Sequence, residues 1–580
     1  MDHGRLPQVT RTPDCWKTLF AAAAILLAGT IVYARSFGCP FVLDDDASIA
    51  NNLTIRELWS WPGPLRPPGG GTTVQGRPLL NLSFALNWAA SGAHPWSYHA
   101  VNLAIHLAAG LTLFGIVRRS VKRQDVAAAV AILWVVHPLQ TESVTYLAQR
   151  AESLMGLLYL LTLYFFIRGT EPEAESTHKR WLTLSWLACL LGTGVKEVIA
   201  TAPAAVFLYD RTFVAGSFGE AWKRRKAYYA GLASTWLVVG ILVAGSGSRE
   251  GTVGVGSGVH EFSYLLTQFG ALVHYLRLSL WPRPLVFDYG ADWVRLADVL
   301  PQALALAALL AVVLGCLFAA DPQSRKLGFA GAWFFIVLAP TSLVPSSRQT
   351  IAEHRMYLPL AGILVILALA ADKALREAIR SPGLRRVVFA AAALIVAIAW
   401  GARTLRRNGD YATVVGLYAD NVLYRPNNPY SHNAYGYALL QLGRYEDAIV
   451  QFREALRLKP DLADAHYNLA FALVRAGRLA EGASEYRETL RLKPGDERAL
   501  CNLGIALASE GRFAEASTVL DEAVRLFPNL PEAQLDLGNA LLALGRIREA
   551  IARYEAALQL RPDFPEARQN LAYARSLPTN

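Results

Sequence analysis

The chain has 580 residues, 53% of them hydrophobic and only 18% charged, with a net charge of +10 and a mean hydropathy of +0.27. That length exceeds one compact domain, and soluble chains carry about 25% charge. The deficit is confined to residues 1–401, which excludes simple globular, disordered and disulfide-rich classes and leaves an all-α, multi-spanning membrane protein with a soluble C-terminal domain.

Basic residues cluster between apolar runs, at Arg118–Arg119, Lys122–Arg123, Lys179–Arg180, Lys223–Lys226, Arg325–Lys326 and Arg385–Arg386. Such clusters orient membrane helices by staying on the cytoplasmic side. Without aromatic interleaving or a recognition module they give no nucleic-acid reading. The five cysteines are scattered without CxxC spacing, so neither a disulfide framework nor a zinc site is indicated.

Taken in chain order, the first apolar run (19–33) follows Arg5, Arg11 and Lys17 and is expected to be a retained span that emerges outside near Ser36. Residues 35–97 form the longest outer loop. It opens with Phe41-Val42-Leu43-Asp44-Asp45-Asp46 and continues into a Pro/Gly-rich stretch (61–71) that cannot sustain helix. Residues 79–90 place Leu80, Phe84 and Trp88 on one stripe and read as an interfacial amphipathic helix.

The following span, 98–117, carries His99, Asn102 and His106 on one face. The two histidines lack a third metal ligand, so the stripe reads as hydrogen-bonded packing. Residues 126–167, 181–210 and 329–372 each run between basic loops and read as hairpins. Their outer tips hold Gln149-Arg150-Ala151-Glu152, Lys196-Glu197 and Glu353-His354-Arg355. Spans at 228–244, 301–320 and 387–401 complete about 11 crossings, with 263–281 read as interfacial or re-entrant. This topology has a cytoplasmic N-terminus, with the first loop and the C-terminus outside. Asp44–Asp46, Arg150/Glu152, Lys196/Glu197 and Glu353/Arg355 then fall at one face, where charges near spans mark a shared functional cavity.

Beyond residue 401 the pattern changes. Prolines recur at 426, 460, 494, 528 and 562. Small residues stand at Gly436, Ala470, Gly504 and Gly538, and turn glycines at 443, 477, 511 and 545. The 34-residue period is the tetratricopeptide pattern, two antiparallel helices per repeat. Gly482 takes the place of an alanine and is expected to weaken its helix. The domains expected are a polytopic membrane domain (1–401), a linker with a half-repeat helix (402–426), and a solenoid of four repeats plus capping helix (427–580). The short link implies a concave surface over the outer membrane face, suited to extended peptides or partner proteins.

These motifs resemble the transmembrane and tetratricopeptide-repeat-containing O-mannosyltransferases, multi-spanning C-type glycosyltransferases. The resemblance rests on Phe41–Asp45, Arg77-Pro78-Leu79 with Asn81–Phe84, Tyr98-His99 with Asn102 and His106, His137-Pro138, Gln149–Glu152, Lys196-Glu197, Glu353–Pro359 and the repeats. It implies a polyprenyl-phosphate-linked mannose donor and Ser/Thr hydroxyl acceptors on exported proteins held by the repeat domain. Asp44 or Asp45 would take the hydroxyl proton, and Arg355 would grip the leaving lipid phosphate, with Arg150 and Lys196 in reserve. Asp46, His137, Glu152, Glu197, Glu353 and His354 would supply the supporting polar site. One displacement would invert the anomeric centre, with no cofactor, and a divalent metal on the adjacent carboxylates is not favoured. The alternatives are a lipid-linked sugar transferase acting on a glycan or lipid, a transporter, and a non-enzymatic adaptor presenting its repeats. The expected home is a bacterial inner membrane with loop and repeats periplasmic, or lumenal in an endoplasmic reticulum.

Overall fold

The computed structural model describes residues 15–172, 176–246, 261–290, 294–345 and 349–578; Arg5 and Arg11 lie outside them. The chain is all-α and divides into two units, 1–417 and 418–580. The division falls within the segment read as a linker.

The first unit contains α1 (Cys15–Tyr33), α2 (Pro78–Ser91), α3 (Pro95–Val121), α4 (Gln124–Val136), α5 (Thr141–Thr145), α6 (Arg150–Thr170) and α7 (His178–Thr193). It continues with α8 (Ala202–Tyr209), α9 (Phe218–Ser246), α10 (Glu261–Leu280), α11 (Leu296–Phe318), α12 (Pro322–Leu343), α13 (Pro359–Ala378) and α14 (Pro382–Asp410). Among the described residues seven helices are long and apolar enough to cross a membrane, or eight if the bent α4–α5 pair is one span. The eleven expected crossings exceed that count for a physical reason. α7 and α8 have 16 and 8 residues, short of the ~20 that span a bilayer, and α13 carries Asp372, Lys373 and Arg376.

Burial grades the spans. α3 and α6 are central, whereas α1, α9, α11 and α14 leave most of their apolar side chains exposed. Leu237 and Ile395 are examples, 72% and 68% exposed, as helices facing lipid require. Where the backbone leaves helical geometry inside the bundle, side chains satisfy it. Trp134 Nε1 donates to the Tyr357 carbonyl at 2.9 Å and Trp333 Nε1 to that of Leu358 at 2.8 Å. Tyr275 of α10 accepts from the Ala352 N–H, and Gln268 donates to Thr350. The polar face of α10 thus holds the segment before α13.

α2 differs from the expected surface helix. Leu80 and Phe84 are buried, but so are Asn81 and Asn87. Asn81 Nδ2 donates to Thr54 Oγ1 and the Pro64 carbonyl, and its Oδ1 accepts from Asn52. The Pro/Gly-rich stretch is therefore pinned onto α2.

The second unit is the repeat array. α15 (Val414–Tyr424) crosses the division. α16 (Pro429–Gln441) and α17 (Tyr445–Leu458), α18 (Ala463–Arg475) and α19 (Leu479–Leu492), α20 (Glu497–Ser509) and α21 (Phe513–Leu526), and α22 (Pro531–Ala543) and α23 (Ile547–Leu560) form four pairs, and α24 (Pro565–Ser576) follows. Gly443, Gly477, Gly511 and Gly545 end the first helix of each pair at φ 72–82°, where a side chain would be strained.

Gly482 answers a packing need rather than marking a weak helix. A Cβ there would lie 2.6 Å from Val474 Cγ2 and 3.0 Å from the Ala470 carbonyl oxygen. The residues matching Val474 in the other repeats are Leu440, Ala508 and Leu542, none β-branched, and alanine stands opposite each. Gly482→Ala, which helix propensity alone would favour, is therefore expected to destabilise this repeat by about 1 kcal/mol. Hydrogen exchange across 463–492 in the full chain should quicken; slower exchange would refute the packing argument.

Candidate functional site

Leu43 adopts a left-handed backbone, φ 48°, uncommon for a branched side chain. It turns the acidic run so that neighbouring carboxylates face different ways. Asp45 points inward and is fully buried. Its Oδ2 accepts from the Val42 N–H at 2.9 Å, and its Oδ1 accepts from the Ala148 N–H at 2.6 Å. Burial pushes this carboxyl well above the usual carboxylate range, against the pull of those two N–H groups. Asp44 is half-buried. Its N–H donates to the Tyr146 hydroxyl at 3.1 Å, and its Oδ2 accepts from Thr73 Oγ1 at 2.8 Å. Among the described residues its Oδ1 has no hydrogen-bond partner. Asp46 is exposed and opens a single π-helical turn.

The same loop is bonded to the 193–197 turn. The first N–H groups of α2, at Leu79 and Leu80, have no partner inside the helix and donate to the Gly194 carbonyl at 2.9 and 3.3 Å. A Cβ on Gly194 would lie 2.8 Å from Leu79 Cγ. Arg77 donates to both Glu197 carboxylate oxygens at 3.1 Å. The next charge in the turn, Lys196, reaches Glu152 of α6 at 2.6 Å, with both side chains buried. Glu152 and Arg355 line one small cleft with Met155, Val198 and Thr341. Arg355 is held there by long contacts, 3.2 Å to the Thr350 carbonyl and 3.4–3.5 Å to Tyr264, Thr341 and Gln349.

The structure therefore links Asp44, Asp45, Arg77, Glu152, Lys196, Glu197 and Arg355 through one end of the bundle. Arg119 lies at the far end of α3, a helix of 27 residues and so about 40 Å long. There it pairs with Glu171 at 2.8 Å.

Other residues of the motif set hold the frame. Arg150 is fully buried; it donates to Asn102 Oδ1 at 2.6 Å and to the Ser83 and Tyr98 carbonyls, and lies over the Phe84 ring. Its donors are engaged in joining α2, α3 and α6. His137 accepts from the Leu139 N–H on Nδ1, so its Nε2 carries the proton donated to Ser279. His99 contacts the Cys39 carbonyl. His106 contacts Tyr357 and Val135 and stacks on Trp134. Among the described residues no group of three His, Cys, Asp or Glu is placed to hold a metal.

Several participants escape a reading of the sequence. Glu142 accepts from both the His354 N–H and its Nδ1, at 2.9 and 2.6 Å. Asn408 accepts from Thr145 at 2.6 Å and donates to the Val32 carbonyl at 2.8 Å. Each sits among other polar residues, Gln140, Thr141 and Ser143 around Glu142 and Arg406, Arg407 and Asp410 around Asn408, and its partner lies far along the chain.

Glu353 Oε1 accepts from the Val286 N–H and the Tyr289 hydroxyl at 2.6 and 2.7 Å. Burial pushes its carboxyl from 4.5 up to about 8, partly offset by Arg407. A raised acid favours the protonated native state. Its stabilisation is complete below the unfolded value and is lost as pH rises through the folded one. Thermal stability of the first unit should fall between pH 5 and 8, and Glu353→Gln should flatten that slope; an unchanged slope would count against this titration.

A polytopic helical bundle whose first loop is bonded to the turn at 193–197, followed by a helical repeat array, defines an integral-membrane protein with a tetratricopeptide domain. Family models described as tetratricopeptide or TPR repeats match residues 436–477, 467–531 and 507–572. Over 77% of its length the chain is 25% identical to "Protein O-mannosyl-transferase Tmtc3" of Drosophila melanogaster, covering 56% of that protein. Over 76% it is 27% identical to "Protein O-mannosyl-transferase TMTC1" of Homo sapiens, covering 55% of it. The chain is a distant homologue of the TMTC protein O-mannosyltransferases and spans about half the length of these relatives. A crystal structure of MamA, 21% identical, covers 27% of the chain and 91% of its own at a TM-score of 0.26.

Proposed function

We propose that the chain is a C-type glycosyltransferase that moves mannose from a polyprenyl-phosphate donor to Ser/Thr hydroxyls of exported proteins. Asp44 takes the acceptor proton and Arg355 stabilises the leaving phosphate. The observation that carries this reading is the presentation of Asp44: half-buried, steadied through Oδ2 by Thr73, with Oδ1 available to a ligand. A carboxylate so placed takes a hydroxyl proton as the oxygen attacks. Arg355 is preferred over Arg150 because its own contacts are long and exchangeable, whereas those of Arg150 hold three helices together. Lys196, close by and countered by Glu152, adds positive potential along the cleft.

In this reading the proton passes to Asp44, the acceptor oxygen bonds to the anomeric carbon, and the carbon–phosphate oxygen bond breaks through an oxocarbenium-like state. The lipid phosphate departs with the electron pair, and a single displacement inverts the sugar carbon. About 11 crossings, counting α7, α8 and α13 as short or polar arms, put the site and the repeat array on the non-cytoplasmic side. On the repeats, Asn468 and Asn502 stand at the same register; they donate to Asn433 Oδ1 at 3.1 Å and to the Tyr467 hydroxyl at 2.9 Å. Exchangeable carboxamides of this kind suit the backbone of an extended acceptor. Intact-mass profiling of exported proteins with and without the chain tests the proposal. Loss of hexose from Ser/Thr peptides supports it; unchanged protein masses with altered lipid or glycan products favour the other acceptor class.

A further inference from the structure

A groove of about 660 Å³ lies between α7 and α9, within the size range of ligand sites. Its lining is divided by chemistry. Leu182, Trp186 and Gly231 provide apolar wall, and Lys179, Lys223 and Lys226 provide charge. The other two cations there are already neutralised. Arg225, where α9 breaks its helical geometry, holds both oxygens of Asp210 at 2.8–2.9 Å, and Arg224 pairs with Glu220 at 2.6 Å. The three lysines have no carboxylate partner among the described residues.

α9 is one of the helices apolar enough to cross a membrane, so the groove runs from a cationic rim into the hydrocarbon layer. Orientation by positive charge requires no cavity, yet here the lysines surround one. At Gly231 the wall is open, since an ideal Cβ would meet only Trp186, at 3.6–3.9 Å. We propose that this groove binds one anionic glycerophospholipid, its headgroup phosphate on Lys179, Lys223 and Lys226 and an acyl chain along Leu182 and Trp186. Charge complementarity selects the headgroup, and continuity with the bilayer selects a lipid over a soluble anion. Arg77, Arg355 and Lys196 belong to the other cluster, so this lipid is distinct from the proposed donor.

The test is native mass spectrometry of the full chain released from bilayers containing phosphatidylglycerol and phosphatidylcholine. One phosphatidylglycerol should remain bound. K179Q/K223Q/K226Q should lower its occupancy about tenfold or more, and Gly231→Leu should do the same by filling the groove with its charges intact. The lysine-to-arginine triple variant should keep the lipid and reports that the fold survives substitution there. R385Q/R386Q, which removes equal-sign charge elsewhere, should also keep it. Equal retention of phosphatidylcholine, loss in the R385Q/R386Q control, or displacement by millimolar inorganic phosphate would overturn the proposal.

Discussion

Asp44→Asn is expected to lower transfer of hexose to a Ser/Thr peptide by about 10²–10⁴-fold, the usual span for losing a general base, without loss of thermal stability. An asparagine carbonyl can still accept the Thr73 hydroxyl, which donates to Oδ2 at 2.8 Å, and the Asp44 side chain has no other partner among the described residues. Asp45→Asn should behave in the opposite way. Both Asp45 oxygens accept backbone N–H groups, so an amide must turn its NH₂ toward one of those donors, leaving a buried N–H unpaired. That costs about 1–3 kcal/mol and loosens the loop from Ala148. Any fall in transfer should then track the loss of folded protein. The measurement is kcat/KM with a polyprenyl-phosphate mannose donor beside a thermal melt of each variant. If Asp45→Asn kills transfer at full stability while Asp44→Asn does not, the assignment of the two carboxylates is reversed.

Why the sequence names both aspartates but cannot rank them is instructive. The ranking depends on a left-handed turn at Leu43 and on Ala148 and Tyr146, about a hundred positions away. Nothing local encodes either. The repeats are the contrary case. Each constraint on them is local, a glycine at a positive-φ turn or a small residue under a facing ring, as at Gly436 beneath Phe452. It therefore recurs every 34 residues and is legible at once. Gly482 shows the limit even there, since its meaning depends on one β-branched neighbour, Val474.

In the membrane unit, apolar runs mark the long spans. α7 and α8, with 16 and 8 residues, are too short to announce themselves except through the basic loops around them. Glu142 and Asn408 were invisible for a different reason: each is one polar residue among several, in Gln140-Thr141-Glu142-Ser143 and Arg406-Arg407-Asn408-Gly409-Asp410, and only its distant partner singles it out. The charged tips draw notice in the sequence because a charge beside a span must be paired or functional; in the structure Glu152 pairs with Lys196 and shares a cleft with Arg355.

The second large effect separates structure from chemistry at that meeting point. Lys196 and Glu152 are buried together at 2.6 Å, their side chains 9% and 4% exposed. Removing either partner leaves an uncompensated charge, so Lys196→Met should destabilise the first unit by about 3–5 kcal/mol, and Glu152→Gln should cost less because the amide still accepts from Lys196. The double variant Lys196→Met/Glu152→Leu removes both charges and should regain most of the lost stability, since well-packed apolar pairs replace buried ion pairs at little cost. Transfer should not return with it. In the proposed mechanism the cleft lined by Arg355 needs Lys196 to oppose the charge growing on the departing phosphate, and a methionine supplies none. The expected signature is a stable double variant with normal donor binding and kcat reduced about 10²-fold or more. Recovery of both stability and turnover in the double variant would make the pair purely structural and leave Arg355 alone at the phosphate.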